Sequence, residues 1–138
     1  MNEKQARQIV AERSNGTCEL KLPGICEGRA TNYQHRKRKG HCDRDERWAP
    51  SNALHVCGSG TTGCHGYIHA NPAEAEMEGW EVRSWDHPGS IPVRLWFGYV
   101  LLDDAGDWTN LGSERPIRHH VEGCPWWHGG RCDCGGIQ

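Results

Sequence analysis

The 138 residues predict an α+β fold: a small domain of short strands and short helices, in which metal ligands supplement a thin core. Three observations carry that expectation. Only 36% of the residues are hydrophobic and mean hydropathy is -0.81, so apolar burial alone is a weak source of stability for a chain of this size. Eight cysteines and nine histidines supply a second source. The apolar pattern also changes along the chain, from helical spacing at the N-terminus to strand-like texture after Trp80.

Taken in order, residues 2 to 13 place Ala6, Ile9 and Val10 on one side of a helix, and the run Ser14, Asn15, Gly16 stops it. Thr17 to Lys21 suggests a strand and "LPG" a turn. Arg29 to His35 suggests a strand leading into an exposed basic loop over residues 36 to 50. Ala53 to Cys57 is apolar enough for a second strand. After the turn "GSGTTG" a short helix starts near Gly63, and Pro72 ends or restarts it. The next segment, "NPAEAEMEGW", predicts a helix with Asn71 as N-cap, Pro72 at its first position and Gly79 beyond its end. "WEVRSW" suggests a strand and "PVRLWFGYVLLDDAGDW" a C-terminal β-hairpin, whose aspartates belong to a polar turn. From Glu114 the chain has little periodicity, so the predicted organisation is a domain over residues 1–113 and a Cys/His-rich irregular tail over residues 114–138.

The formal net charge of -2 gives no global sign of a polyanionic partner, but Arg29, Arg36, Lys37, Arg38, Lys39, Arg44 and Arg47 concentrate positive charge locally. No apolar run approaches the ~20 residues of a membrane span, and the polar N-terminus lacks a signal-peptide core. A cytoplasmic location without a membrane partner is the expectation, and there cysteine patterns favour metal over disulfides.

Cys18 and Cys26 bracket seven residues, and Cys57 and Cys64 bracket six. Two such loops brought face to face offer four thiolates to a tetrahedral structural zinc, and their glycines and proline let each loop turn tightly enough to converge. His65 follows Cys64 directly, and His69 lies four residues on, on the same face of the expected helix. If Cys64 anchors the start of that helix, both imidazoles are pre-aimed at one divalent cation. Upstream, strand, loop and strand bring His35 and Asn52 toward His65. Cys42 reads as a free thiol in the basic loop.

The ordered set Cys18, Cys26, His35, Asn52, Cys57, Cys64, His65, His69 resembles the HNH endonuclease family, in particular phage-type members that interleave the ββα-metal motif with a four-cysteine zinc site. The likeness covers roughly residues 7 to 90. It implies a treble-clef-like fold and metal-dependent phosphodiester hydrolysis, by nicking or double-strand cleavage, in double-stranded DNA with low sequence specificity. His35 would be the general base, Asn52 would orient the loop and the His35 ring, and His65 with His69 would bind the catalytic ion. Arg36, Lys37, Arg38 and Lys39 would contact DNA phosphates. Phage terminase and packaging proteins are the protein partners it suggests. One departure stands at Gln34, where the family usually carries a charged or imidazole metal ligand; a neutral amide is weaker, which leaves water, substrate phosphate, His41 or Asp43 to complete the site. Two imidazoles with a neutral oxygen favour zinc, nickel or manganese over magnesium. The alternative is a non-catalytic zinc module that binds nucleic acid or a protein.

In the tail, Cys124, His128, Cys132 and Cys134 form the pattern CxxxHxxxCxC, a candidate second zinc knuckle; a flexible glycine-rich end with incidental thiols explains the same residues.

Overall fold

A computed structural model describes residues 1–116, so the candidate knuckle at Cys124, His128, Cys132 and Cys134 lies outside the described residues. The described residues form a small mixed α+β assembly with two separate antiparallel sheets. Helix α1 (Glu3–Ser14) opens on a reciprocal capping box: Asn2 Oδ1 accepts from the Gln5 N–H at 2.8 Å, and Gln5 returns the bond to the Asn2 N–H. It closes on Asn15 in the left-handed conformation, as the Ser-Asn-Gly run predicts. Its buried face, Ala6 and Val10, packs toward the first sheet.

That sheet is β1 (Asn32–His35) paired with β2 (Ala53–Val56), in a register that sets His35 opposite Ala53 and Asn32 opposite Val56. Between them lie the short helix α2 (Arg44–Arg47) and two 3-10 turns, Lys39–His41 and Pro50–Asn52. Helix α3 (Gly63–Ala70) follows β2, then α4 (Pro72–Met77). The second sheet has the order β3 (Val93–Leu95), β4 (Gly98–Leu102), β5 (Trp108–Gly112). Trp80, Leu54, Ile68, Val93, Val100 and Leu102 fill the core, and the buried Cys18, Cys57 and Cys64 belong to the same cluster. Gly79 ends the α4 segment at a φ of 77°, where a Cβ would stand 1.9 Å from the Pro92 carbonyl oxygen, so a side chain there would drive β3 off its seat.

Four local expectations change. Thr17 to Lys21 is held by an isolated bridge from Thr17 to Arg29 instead of forming a strand. Glu19 is tied on both sides, its N–H to the His55 carbonyl and its carbonyl to the Trp96 N–H, so the segment stitches the two sheets together. Trp80 to Trp85 is likewise no strand, because Trp80 turns into the core, donating from Nε1 to the Arg94 carbonyl at 2.8 Å. Asn71 does stand at the N-cap of α4 with Pro72 first in the helix, but its side chain makes no capping bond; its amide reaches back to the Tyr67 carbonyl of α3. The C-terminal hairpin gains a third strand, since Asp103 Oδ1 accepts from the Ala105 and Asp107 N–H groups and turns the chain into β5.

The largest correction concerns residues 36 to 50. Arg36 is 1% exposed and Lys37 is 5% exposed, so neither side chain is presented to a phosphate. The Arg36 guanidinium donates to the carbonyls of Gly79, Ser51, Pro88 and Ile91 at 2.8 to 3.0 Å, which satisfies a charge that would otherwise be costly to bury. Lys37 Nζ pairs with Glu46 at 2.8 Å. Sequence shows a run of four basic residues; in space the first two face inward and Arg38 and Lys39 face outward.

A four-cysteine centre and a histidine cleft

The sulfurs of Cys18, Cys26, Cys57 and Cys64 all lie within 4.8 Å of one another, and together they could hold a metal ion. The Cys26 to Cys57 separation of 3.8 Å matches the edge of a tetrahedral site with ~2.3 Å metal–sulfur bonds. Backbone donors already point at the sulfurs: Glu27 and Cys64 N–H to Cys57 at 3.2 and 3.3 Å, and Gly28 N–H to Cys26 at 3.2 Å. Burial drives the Cys64 thiol upward and pushes Cys57 the same way, but the N–H donors from Cys64 and Glu27 together with hydrogen bonds from the Cys64 and Cys18 side chains outweigh burial and hold Cys57 at about 7. Four crowded thiols, three buried and one half-buried, with amide donors aimed at them are a poor apolar core and a good thiolate cage. The turn between Cys57 and Cys64 is closed by Gly58 and Gly63, both at positive φ and so close that a Cβ on Gly58 would lie 2.0 Å from the Thr62 carbonyl oxygen.

Helix α3 begins in that knuckle, so the cluster that holds Cys64 also fixes the direction of His65. The His65 N–H donates to the Cys57 carbonyl at 3.0 Å. One helical turn on, His69 brings its Nε2 to 3.0 Å from His65 Nε2, with ring centroids 4.6 Å apart. Two imidazole nitrogens on one tetrahedral metal of ~2.1 Å bond length stand about 3.4 Å apart, so the pair needs little adjustment to share an ion. His65 is held below the ordinary imidazole range, first by burial and then by His69, and its Nδ1 is buried without a partner among the described residues. Neutral rings are the form that ligates.

His65, His69, His35 and Gln34 line one cleft of about 980 Å3. His35, at the end of β1, sits against Tyr33 and Trp48, with centroids 5.3 and 5.0 Å away. Burial, then the charge of Lys39, push its pKa below the ordinary value, while a hydrogen bond to the Arg47 backbone acts in the opposite sense. His35 Nε2 has no hydrogen-bond partner among the described residues, leaving that nitrogen uncommitted. Gln34 is almost buried, its amide directed at the His35 carbonyl at 3.4 Å.

Asn52 works from behind the cleft. It is fully buried; its Oδ1 accepts from the Lys37 N–H at 2.7 Å, and its Nδ2 donates to the Glu46 carbonyl at 3.2 Å and toward Cys42 Sγ at 3.4 Å. The backbone adds an Arg36 N–H to Asn52 carbonyl bond at 2.8 Å. Asn52 therefore fixes both ends of the loop that follows His35; its side-chain bonds go to that loop and not to the imidazole. Cys42 is half-buried, with Sγ near the Lys37 and Arg38 carbonyls, so it is part of the loop's packing.

Sequence reasoning missed several groups that share the cleft: Arg7 from α1, Glu76 from α4, and Glu81, Arg83 and Trp85 from the segment read as a strand. Arg7 stands over both Tyr33 and Trp48, at 5.1 and 5.7 Å. Burial raises the Glu81 carboxyl, opposed by Arg38 and His69. The basic and aromatic letters of "EVRSW" were the available signal; which of them share a cleft with the α3 histidines is decided by tertiary placement alone. Among the described residues, no third His, Cys, Asp or Glu converges with His65 and His69 as closely as the four cysteines converge with one another. Comparison with protein-family models, with curated proteins and with solved structures found no significant match.

Proposed function

We propose that the protein is a metal-dependent endonuclease of the HNH, ββα-metal kind, hydrolysing phosphodiester bonds in double-stranded DNA, with a structural zinc at Cys18, Cys26, Cys57 and Cys64. The observation that carries the reading is the single basic cleft shared by His35, His65 and His69, set on an antiparallel hairpin and the helix after it. A purely structural zinc domain has no need of three clustered imidazoles beside its cysteines.

In this reading His35 accepts a proton from the water that attacks phosphorus. Its lowered pKa keeps it in the neutral, proton-accepting form at physiological pH. The P–O3′ bond breaks as the water oxygen bonds to phosphorus, and the departing 3′ oxygen takes a proton from solvent. A divalent ion held by His65 and His69 stabilises, when bound, the charge gathering on the phosphate and the departing oxygen. Zinc, nickel or manganese suits that pair better than magnesium. Asn52 positions the His35 loop, and the exposed Arg38 and Lys39 contact neighbouring phosphates without reading sequence. A role beside phage genome packaging, with terminase as neighbour, belongs to the same proposal.

The second reading is a non-catalytic zinc module, favoured by Gln34 in place of a charged ligand and by the lack of a third convergent ligand among the described residues. Supercoiled plasmid separates the two. After weakly bound ions are chelated and single divalent ions are added back, the endonuclease reading expects nicking with at least one ion; failure of every ion leaves the module.

A further inference from the structure

The indole of Trp85 is 65% exposed, the most exposed of the described large hydrophobic side chains, yet it lines the same cleft as His35, His65 and His69. One side of the ring is backed by the Arg83 guanidinium, 5.4 Å from the ring. Arg83 is itself held by Glu76 at 2.5 Å, so the ring's support is anchored to α4. Arg38, Lys39 and Arg7 line the same cleft and supply positive charge for a phosphate chain. Of the other exposed tryptophans, Trp96 and Trp108 border a different cleft, with Phe97 and Lys21, away from the histidines.

We infer that Trp85 is a stacking platform for an unpaired nucleobase, and that the cleft prefers DNA in which a base next to the bound phosphate is unstacked, as at a gap, nick or single-stranded overhang. The argument is chemical. A supported, solvent-facing aromatic beside exposed positive charges is the combination that holds single-stranded nucleic acid: charges track the backbone, and the ring offers a π-face that any base can cover. In an intact duplex both faces of each base are already stacked, so Trp85 gains nothing until a base is free. The inference rests on the nuclease reading for the identity of the ligand and goes beyond it in naming the substrate's local structure.

The test uses full-length His35→Ala protein, which on the nuclease reading keeps DNA binding and loses cleavage, and fluorescence anisotropy with two labelled 20-mer duplexes, one intact and one carrying a single-nucleotide gap. The expected result is tighter binding of the gapped duplex, a loss of about tenfold in that affinity on adding Trp85→Ala, no change for the intact duplex, and near-complete retention with Trp85→Phe. Equal affinities of the Trp85→Ala and parent proteins for the gapped duplex would overturn the inference, as would an equal loss on both duplexes. Plasmid nicking by the wild type reports separately on the nuclease reading: gap preference that depends on Trp85 in a protein that never nicks leaves the platform standing and removes the enzyme.

Discussion

Cys64 and His65 are neighbours in the chain and belong to different sites. The Cys64 sulfur is buried in the four-cysteine cluster, whereas the His65 ring lines the basic cleft and faces His69 across one helical turn. Successive residues at a helix start point about 100° apart, so one helix origin can serve two centres. The cysteine cage thereby aims the histidine pair.

The first consequence concerns stability. Loss of one thiolate from a four-ligand structural site removes metal-coupled folding energy from a chain with little core to spare. Cys57→Ser is expected to lower zinc content below one equivalent and to abolish the cooperative thermal transition; a variant that keeps both would show that the cluster is ordinary core.

Arg36 and Arg38 should behave as opposites. Arg36→Ala strips four carbonyls of a buried donor and is expected to cost about 3 kcal/mol or more, with Arg36→Lys giving little rescue because one ammonium cannot reproduce the fork. Arg38→Ala is exposed and should leave the melting temperature within a degree or two while weakening DNA binding and its salt dependence. Thermal melts and salt titrations on both variants settle the assignment.

Much of this could be anticipated from the chain alone, and the limits have physical reasons. The helix stop at Ser14 to Gly16, the cysteine loops and the His65, Asn52 and His35 order are encoded in short-range spacing, and the structure brings the cysteines together and the histidines into one cleft. The burial of Arg36 was hidden, since a buried guanidinium is written with the same letter as a solvated one and its four acceptors come from residues 15 to 55 positions away. Trp85 and Glu81 escaped for a related reason: their place in the cleft depends on how α4 leads back past β1.

Asn52→Ala removes the clamp on both ends of the loop after His35. Its Oδ1 and Nδ2 partners are all buried or half-buried, so the variant should lose about 2 kcal/mol of stability, and nicking should fall far more than the unfolded fraction explains. Proportional loss of activity and fold would make Asn52 structural only.

Acid should destabilise the second sheet through Glu78. Burial raises its carboxyl, but Arg115, Tyr99 and Arg94 donate to it and together hold it below the usual carboxylate value. A depressed folded value means the unfolded chain binds the proton more readily, so this stabilisation is full above the ordinary glutamate range near pH 4.5 and disappears as pH falls through the folded value. Urea melts between pH 6 and 3 should show a stability loss in the wild type that is smaller in Glu78→Gln; parallel curves would contradict the assignment.

The most direct measurement follows zinc and nicking together in His65→Ala. If Cys64 and His65 serve separate centres, the variant keeps one tightly bound zinc and an unchanged thermal transition while plasmid nicking falls at least a hundredfold. A variant that loses the zinc, or that nicks like the wild type, would contradict the division of labour on which the account depends.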